Sequence, residues 1–230
     1  LADFIFEEET HTKGHWKKLN AEALEEWPIQ YGDLTFNLQL TRFKHVGIFP
    51  EQRTNWDFIQ EHLKPDDQFL NLFGYTGGAS LAARAVGAEV YHCDAVRQIN
   101  AWAKLNMESS GFDDIRWVLE DALKFAQREL KRGRVYQGII MDPPAYGIGA
   151  KKERWKIEQK FAELLEVSTA LCEKGGFVIM NTYSPKLPAK KIKQKVSEMI
   201  GIQSSEVSTL AIKSTTGKVL EFGELTRIWC

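Results

Sequence analysis

The rhythm of hydrophobic and polar positions changes near residue 65. Before it, residues 34–43 alternate strictly. Leu34, Phe36, Leu38 and Leu40 fall on one side and Thr35, Asn37, Gln39 and Thr41 on the other, which predicts a half-buried strand. Residues 1–33 read as irregular, with a short helical pattern over 20–27 that ends at Pro28. Residues 45–50 predict a turn and a second short strand. Trp56, Ile59 and Leu63 then mark one face of a helix that Pro65-Asp66-Asp67 closes. That punctuation divides the chain into a leader with a β-hairpin extension, residues 1–64, and a main domain, residues 65–230.

From residue 65 onward, short apolar runs alternate with helical ones. Strands are predicted at 69–73, 88–93, 115–119, 135–141 and 176–182. Helices are predicted up to Val86, around Ile99, Trp102, Ala103 and Asn106, and over 121–131, 158–172 and 188–200. Two last strands, near 205–213 and 218–229, flank Thr216-Gly217 as a hairpin. Five strand–helix repeats predict an α/β fold. It is Rossmann-like, a seven-stranded, mostly parallel sheet with helices on both faces and an antiparallel edge strand, preceded by a small β-hairpin extension. Ligands of such sheets bind beyond the carboxyl ends of the strands, so the residues just after each strand carry the candidate chemistry.

After the first of these strands comes Gly74-Tyr75-Thr76-Gly77-Gly78, either a ligand-cradling loop or a tight turn with packing glycines. Asp94 follows the second, placed to hold the hydroxyls of a ribose or to cap the next helix. Asp121 follows the third and could accept from an adenine amine, cap a helix, or do both. After the fourth, Asp142-Pro143-Pro144-Ala145-Tyr146 forms a stiff loop with one acid and one aromatic. There the acid and the Pro143 carbonyl are placed to orient a polar group while Tyr146 stacks on a ring. Tyr183-Ser184-Pro185 after the fifth either completes a pocket wall or forms a capped turn.

Composition narrows the partners. The net charge of −1 is a sum of unlike parts, with eight acids and three bases in residues 1–33 and 23 acids against 27 bases in residues 34–230. Lys151, Lys152, Arg154 and Lys156 follow the Asp-Pro-Pro loop, and Lys186, Lys190, Lys191, Lys193 and Lys195 follow the fifth strand. Two basic loops at one sheet edge suit a phosphate backbone, although solvated helix faces read the same way. Three cysteines, Cys93, Cys172 and Cys230, stand far apart with no CxxC pair. That argues against a disulfide framework or a metal site and favours the cytoplasm. No apolar run is long enough for a membrane span, and residues 1–33 lack a signal-peptide profile. The oligomeric state is not legible.

Taken in order, the glycine loop, Asp94, Asp121 and Asp142-Pro-Pro resemble a Class I S-adenosylmethionine-dependent methyltransferase over residues 65–230. FLNLFGYTGG (69–78) and GIIMDPPAYG (138–147) are similar to the bacterial 23S ribosomal RNA methyltransferase family, and Phe49-Pro50-Glu51-Gln52-Arg53 matches its aromatic-(Asp/Glu)-Gln-Arg stretch. The resemblance implies S-adenosyl-L-methionine as cofactor. Phe73, Gly74, Tyr75, Thr76, Gly77 and Gly78 would lie at its methionine part, Asp94 at the ribose, and Asp121 with Ala122 at the adenine. Asp142, Pro143, Pro144 and Tyr146 would face the methyl group. Phe49, Gln52, Arg53, Tyr183, Lys151 and Lys186 would meet the substrate, a ribosomal RNA.

The chain departs from that family at two points. Residues 181–184 lack the cysteine that cytosine C5 methylation needs, which favours a nitrogen target. Ala145 also separates the second proline from the aromatic. Three alternatives stay open: a small-molecule or protein methyltransferase, a non-catalytic cofactor-fold binding module, and a nucleotide-dependent oxidoreductase.

Overall fold

The structure, a computed structural model, describes residues 2–10, 13–42, 44–148 and 154–230. Lys151 and Lys152 lie outside them. Its centre is a seven-stranded sheet. Five strands run parallel: β5 (Gln68–Leu72), β6 (Glu89–Asp94), β7 (Ile115–Leu119), β8 (Tyr136–Met141) and β11 (Cys172–Thr182). The closing hairpin, β12 (Ser204–Lys213) and β13 (Val219–Trp229), adds the antiparallel pairings at one edge. The order β12-β13-β11-β8-β5-β6-β7 reverses between β5 and β8, so a crevice opens there at the carboxyl ends.

The central strands are apolar on both faces because helices cover both. Leu70, Tyr91, Ile139 and Val178 pack against α4 (Ala122–Lys131), α5 (Ile157–Leu171) and α6 (Ala189–Ser197). Their sequence neighbours Phe69, Val90, Ile140 and Ile179 face the opposite core. There they meet α1 (Arg53–His62), α2 (Gly78–Ala85), α3 (Arg97–Ser109) and β4 (Leu34–Gln39). Trp56 and Ile59 form the buried face of α1 that their spacing predicts, and Leu63 continues it just beyond the helix end. Trp56 stacks on Phe36 at 5.0 Å between ring centroids. Burying an aromatic or aliphatic side chain of this kind stabilises the fold by about 1.5–3 kcal/mol each.

The N-terminal third corrects the sequence reading. The described residues of 1–33 form strands where irregular chain was expected, and 20–27 are not helical. β1 (Phe4–Thr10) pairs with β2 (Lys13–Lys18), and β3 (Glu26–Tyr31) pairs with β4. Trp27, Ile29 and Tyr31 alternate against β4, and Pro28 is tolerated because a two-stranded ribbon leaves its missing N–H facing no partner strand. The short strand predicted over 45–50 is also absent. There the Val46 carbonyl accepts from Gln39 N at 3.1 Å, Gly47 turns at φ 104°, and Pro50–Gln52 form a 3-10 turn leading into α1.

Candidate active site

The first loop of the crevice is strained as well as glycine-rich. Phe73 and Tyr75 adopt positive φ of 59° and 48°, a conformation side-chain-bearing residues rarely hold unless neighbours enforce it. The enforcement is visible. Gly74 N donates to the Cys93 carbonyl at 3.0 Å, Tyr75 N to Asp94 Oδ2 at 3.1 Å, and Thr76 Oγ1 to the Gly47 carbonyl at 2.7 Å. A Cβ on Gly74 would run into the His92 ring, and one on Gly78 would lie 2.7 Å from Trp56. These glycines therefore serve packing and loop shape together. His92 is wholly buried, and burial drives its imidazole down to about 3, so it stays neutral. It pairs through Nδ1 with Ser80 Oγ at 2.9 Å and supports the loop from below.

Asp94 accepts from Tyr75 N and, at 2.9 Å through Oδ1, from Val96 N. Burial raises its pKa, and those backbone N–H groups partly oppose the rise. Asp121 caps α4 by accepting from Lys124 N at 2.9 Å. Both acids line the same cavity of about 650 Å³, as do Phe49, Glu51, Phe73, Tyr75, Ala122, Asp142, Pro143, Pro144 and Tyr183. A narrower void of about 50 Å³ behind it touches Gly74, Thr76, Gly77, Gly78 and Gln52.

At the far end of the cavity stands Asp142. Gln52 Nε2 donates to its Oδ2 at 3.2 Å and to Tyr183 Oη at 2.9 Å. The amide orientation of Gln52 is fixed from behind, since its Oε1 accepts from Asn55 Nδ2 at 2.8 Å and Asn181 Nδ2 at 3.2 Å. Asp142 Oδ1 is buried with no partner. Burial pushes the carboxyl up to about 7, the Tyr183 hydroxyl bond opposes that, and the Glu51 charge adds to it. Burial and the charges of Asp142 and Glu51 also raise Tyr183.

Other predicted residues stand apart. Tyr146 is 53% exposed, in β9 (Tyr146–Ile148), and does not line the cavity. Arg53 is exposed at the start of α1, near Tyr31 and Asp57. Lys186 borders a separate shallow cavity with Lys191 and Lys195. The aromatic beside the Asp-Pro-Pro loop is instead Trp155, in β10 (Arg154–Lys156), which pairs with β9. Its Nε1 donates to the Pro144 carbonyl at 2.7 Å, and its ring lies 5.2 Å from Phe73. Sequence reading missed Trp155, Glu51 and Phe222 as cavity residues. The first was legible only as an aromatic within a basic run, and the last is delivered by β13 from the far end of the chain.

The charge of the cavity is distinctive. Glu51, Asp94, Asp121 and Asp142 line it, and no Lys or Arg does among the described residues. Such walls favour a cation-bearing ligand.

Comparisons with known proteins agree. The family described as S-adenosylmethionine-dependent methyltransferase matches residues 5–196. A solved S-adenosylmethionine-dependent methyltransferase from Agrobacterium tumefaciens superposes with a TM-score of 0.92 at 32% identity, covering 99% of this chain and 77% of that one. A structure in complex with S-adenosylhomocysteine shares the fold at a TM-score of 0.78 and 20% identity, covering 93% of this chain and 58% of that one. "Ribosomal RNA large subunit methyltransferase K/L" of Shewanella amazonensis is 30% identical over 74% of this chain and 24% of its own length. Its namesake from Methylococcus capsulatus is 29% identical over 67% of this chain and 21% of its own length. The chain thus spans less than a quarter of the length of these curated relatives.

Proposed function

The chain belongs to the S-adenosylmethionine-dependent methyltransferase family, and from that premise we propose that it methylates a base nitrogen of ribosomal RNA. The observation that carries the nitrogen assignment is the unpartnered Asp142 Oδ1 at the end of a cavity that holds no thiol. Cys93 is buried in β6, and Cys172 and Cys230 border a different cavity. Cytosine C5 needs a covalent nucleophile, whereas a nitrogen lone pair needs only to be placed in line.

The residues fit the cofactor. S-adenosylmethionine carries a sulfonium and an ammonium, which suit an acid-lined cavity with no competing Lys or Arg among the described residues. In this reading the loop Phe73–Gly78 holds the methionine part, Asp94 the ribose hydroxyls, and Asp121 with Ala122 the adenine. The bound cofactor supplies an activated methyl group. Asp142 orients the acceptor nitrogen, Pro143 and Pro144 stiffen the loop that carries it, and Trp155 locks that loop through the Pro144 carbonyl. Residues 1–64 act as an N-terminal unit that delivers Phe49, Glu51 and Gln52 to the cavity. Lys186, Lys190, Lys191 and Lys193 form the phosphate-contacting rim, and the relatives' printed substrate, ribosomal RNA, supports that reading.

Undermodified ribosomal RNA incubated with labelled S-adenosylmethionine, followed by nucleoside analysis, tests the proposal. A nitrogen-methylated base is expected. With Asp142→Ala, turnover should fall about 100-fold or more while S-adenosylhomocysteine affinity stays within a few fold. Label only in protein or small molecules would refute the RNA assignment, and unchanged turnover in the variant would refute the role of Asp142.

A further inference from the structure

We propose that Asn55 and Asn181 are positioning residues for methyl transfer, acting through the Gln52 amide to leave one bare oxygen of Asp142 at the end of the cavity. This rests on the reading of Asp142 as the group that orients the acceptor, and it adds the residues that hold Asp142 in that state.

Gln52, Asn55 and Asn181 form a polar cluster beside an otherwise apolar layer. Met180 pairs with Met141 across β11 and β8, and both belong to the core under α4, α5 and α6. Their successors in the chain, Asn181 and Asp142, therefore fall on the opposite side of the sheet. Ile179 and Ile140 pack on that side, and α1 brings Asn55 to it. Asn55 and Asn181 are both fully buried. A polar side chain in such a place costs stability unless its groups find partners.

The partners run in one direction. Asn55 Nδ2 donates to Gln52 Oε1 at 2.8 Å and to Asn181 Oδ1 at 3.1 Å. Asn181 Nδ2 donates to the same Gln52 oxygen at 3.2 Å. With that oxygen holding two donors, the Gln52 amide hydrogens face the other way. They reach Asp142 Oδ2 at 3.2 Å and Tyr183 Oη at 2.9 Å. Gln52 cannot turn over alone. A turned amide would set its NH2 against the Asn55 and Asn181 N–H groups and its oxygen against the Asp142 carboxylate. The Gln52 donor is thus committed to Asp142 Oδ2, while Oδ1 stays buried without a partner. A network that served stability alone would satisfy all its members. This one also leaves Asn55 Oδ1 unpaired, and it ends on a residue of the cavity wall. The clamp behind Gln52 therefore decides which Asp142 oxygen is offered to the incoming base.

A double-mutant cycle on single-turnover methylation of ribosomal RNA tests this. Asn181→Ala and Gln52→Ala should each slow transfer by about 10-fold or more, and the double variant should be no slower than Gln52→Ala alone. Affinity for S-adenosylhomocysteine, read by calorimetry, should stay within a few fold of wild type in all three, showing an intact cofactor site. Losses that multiply in the double variant, or an Asn181→Ala rate equal to wild type, overturn the proposal. If Asn181→Ala does not fold, Asn55→Ala takes its place in the same cycle with the same expectation. If the wild-type chain methylates no RNA, the substrate reading falls, and carboxyl 13C NMR of the full chain decides instead. There Asn181→Ala should move the Asp142 titration upward, because the donor on Oδ2 is no longer held in place. Glu51 and Tyr183, which also act on that carboxyl, are unaltered in the variant. An Asp142 titration that does not move overturns the positioning role.

Discussion

At the scale of single residues, the site is built from polar groups whose partners are incomplete. Gln52 has its amide engaged on both sides, yet Asp142 keeps one buried oxygen with no donor. Leaving that oxygen unpaired costs stability, and the cost depends on pH. The carboxyl moves from an ordinary 3.8 to about 7, so the folded chain binds this proton more tightly than the unfolded chain. The stability it contributes is complete below about pH 4 and is lost as pH rises through about 7. Asp142→Asn, which cannot ionise, should therefore gain on wild type as pH rises across that window, by on the order of 2–4 kcal/mol. Denaturant unfolding of both chains at pH 4.5 and pH 8 measures it, and a pH-independent difference would show that burial does not govern this carboxyl. The place of Asp142 on the cavity wall was legible from its position after the fourth strand. The places of Glu51 and Trp155 on that wall were not. Each depends on a neighbour supplied by a distant element, which spacing along the chain does not encode.

At the scale of elements, the alternation of β5 to β11 with α2 to α5 was legible because buried parallel strands are short, apolar and bounded by glycine or acid. The N-terminal ribbons were not. β1 and β2 are mostly exposed and carry charge on both sides, so no face contrast marks them. The small β9–β10 ribbon has three residues per strand, too short for any period to show. One residue joins the N-terminal ribbon to the glycine loop. Asn106, buried in α3, accepts through Oδ1 from Asn37 N at 2.8 Å and from Asn37 Nδ2 at 3.1 Å. Its Nδ2 donates to the Thr76 carbonyl at 2.9 Å. Asn106→Ala removes these partners from Asn37 N and the Thr76 carbonyl, while Asn37 Nδ2 keeps Ser109 Oγ, and should destabilise the chain by about 2–4 kcal/mol. It should also weaken S-adenosylhomocysteine binding, because Thr76 belongs to the loop. Thermal unfolding and calorimetry check both, and a loss of stability with unchanged affinity would separate the loop from the ribbon.

At the scale of the molecule, four acids line the cavity, whereas exposed lysines stand outside it. Lys186, Lys190, Lys191 and Lys193 are exposed around the start of α6, whereas Lys195 is held by Glu198 at 2.8 Å. Under the proposed function, this separation lets a chain of net charge −1 suit both a cationic cofactor and an anionic substrate. Charge reversal at Lys190 and Lys193 should weaken RNA binding roughly alike for all sequences and lower its salt slope by about 0.7 per lost phosphate contact on single strands. Cofactor affinity should not change. Filter binding across a salt series, with calorimetry as the control, distinguishes this from a structural effect, and an unchanged slope removes these lysines from the rim.

The strand order also bears on the biogenesis of the enzyme. The cavity wall runs from His45 to Phe222, and β13 lies between β11 and β12 rather than beyond them. A nascent chain emerging from the ribosome can form β5 to β8 with their helices, yet the pocket gains its last wall only when Phe222 on β13 has followed them. Pairings of such long sequence separation form slowly, because the loop between the partners must close first. The complete cavity wall therefore requires the chain to have emerged past Phe222.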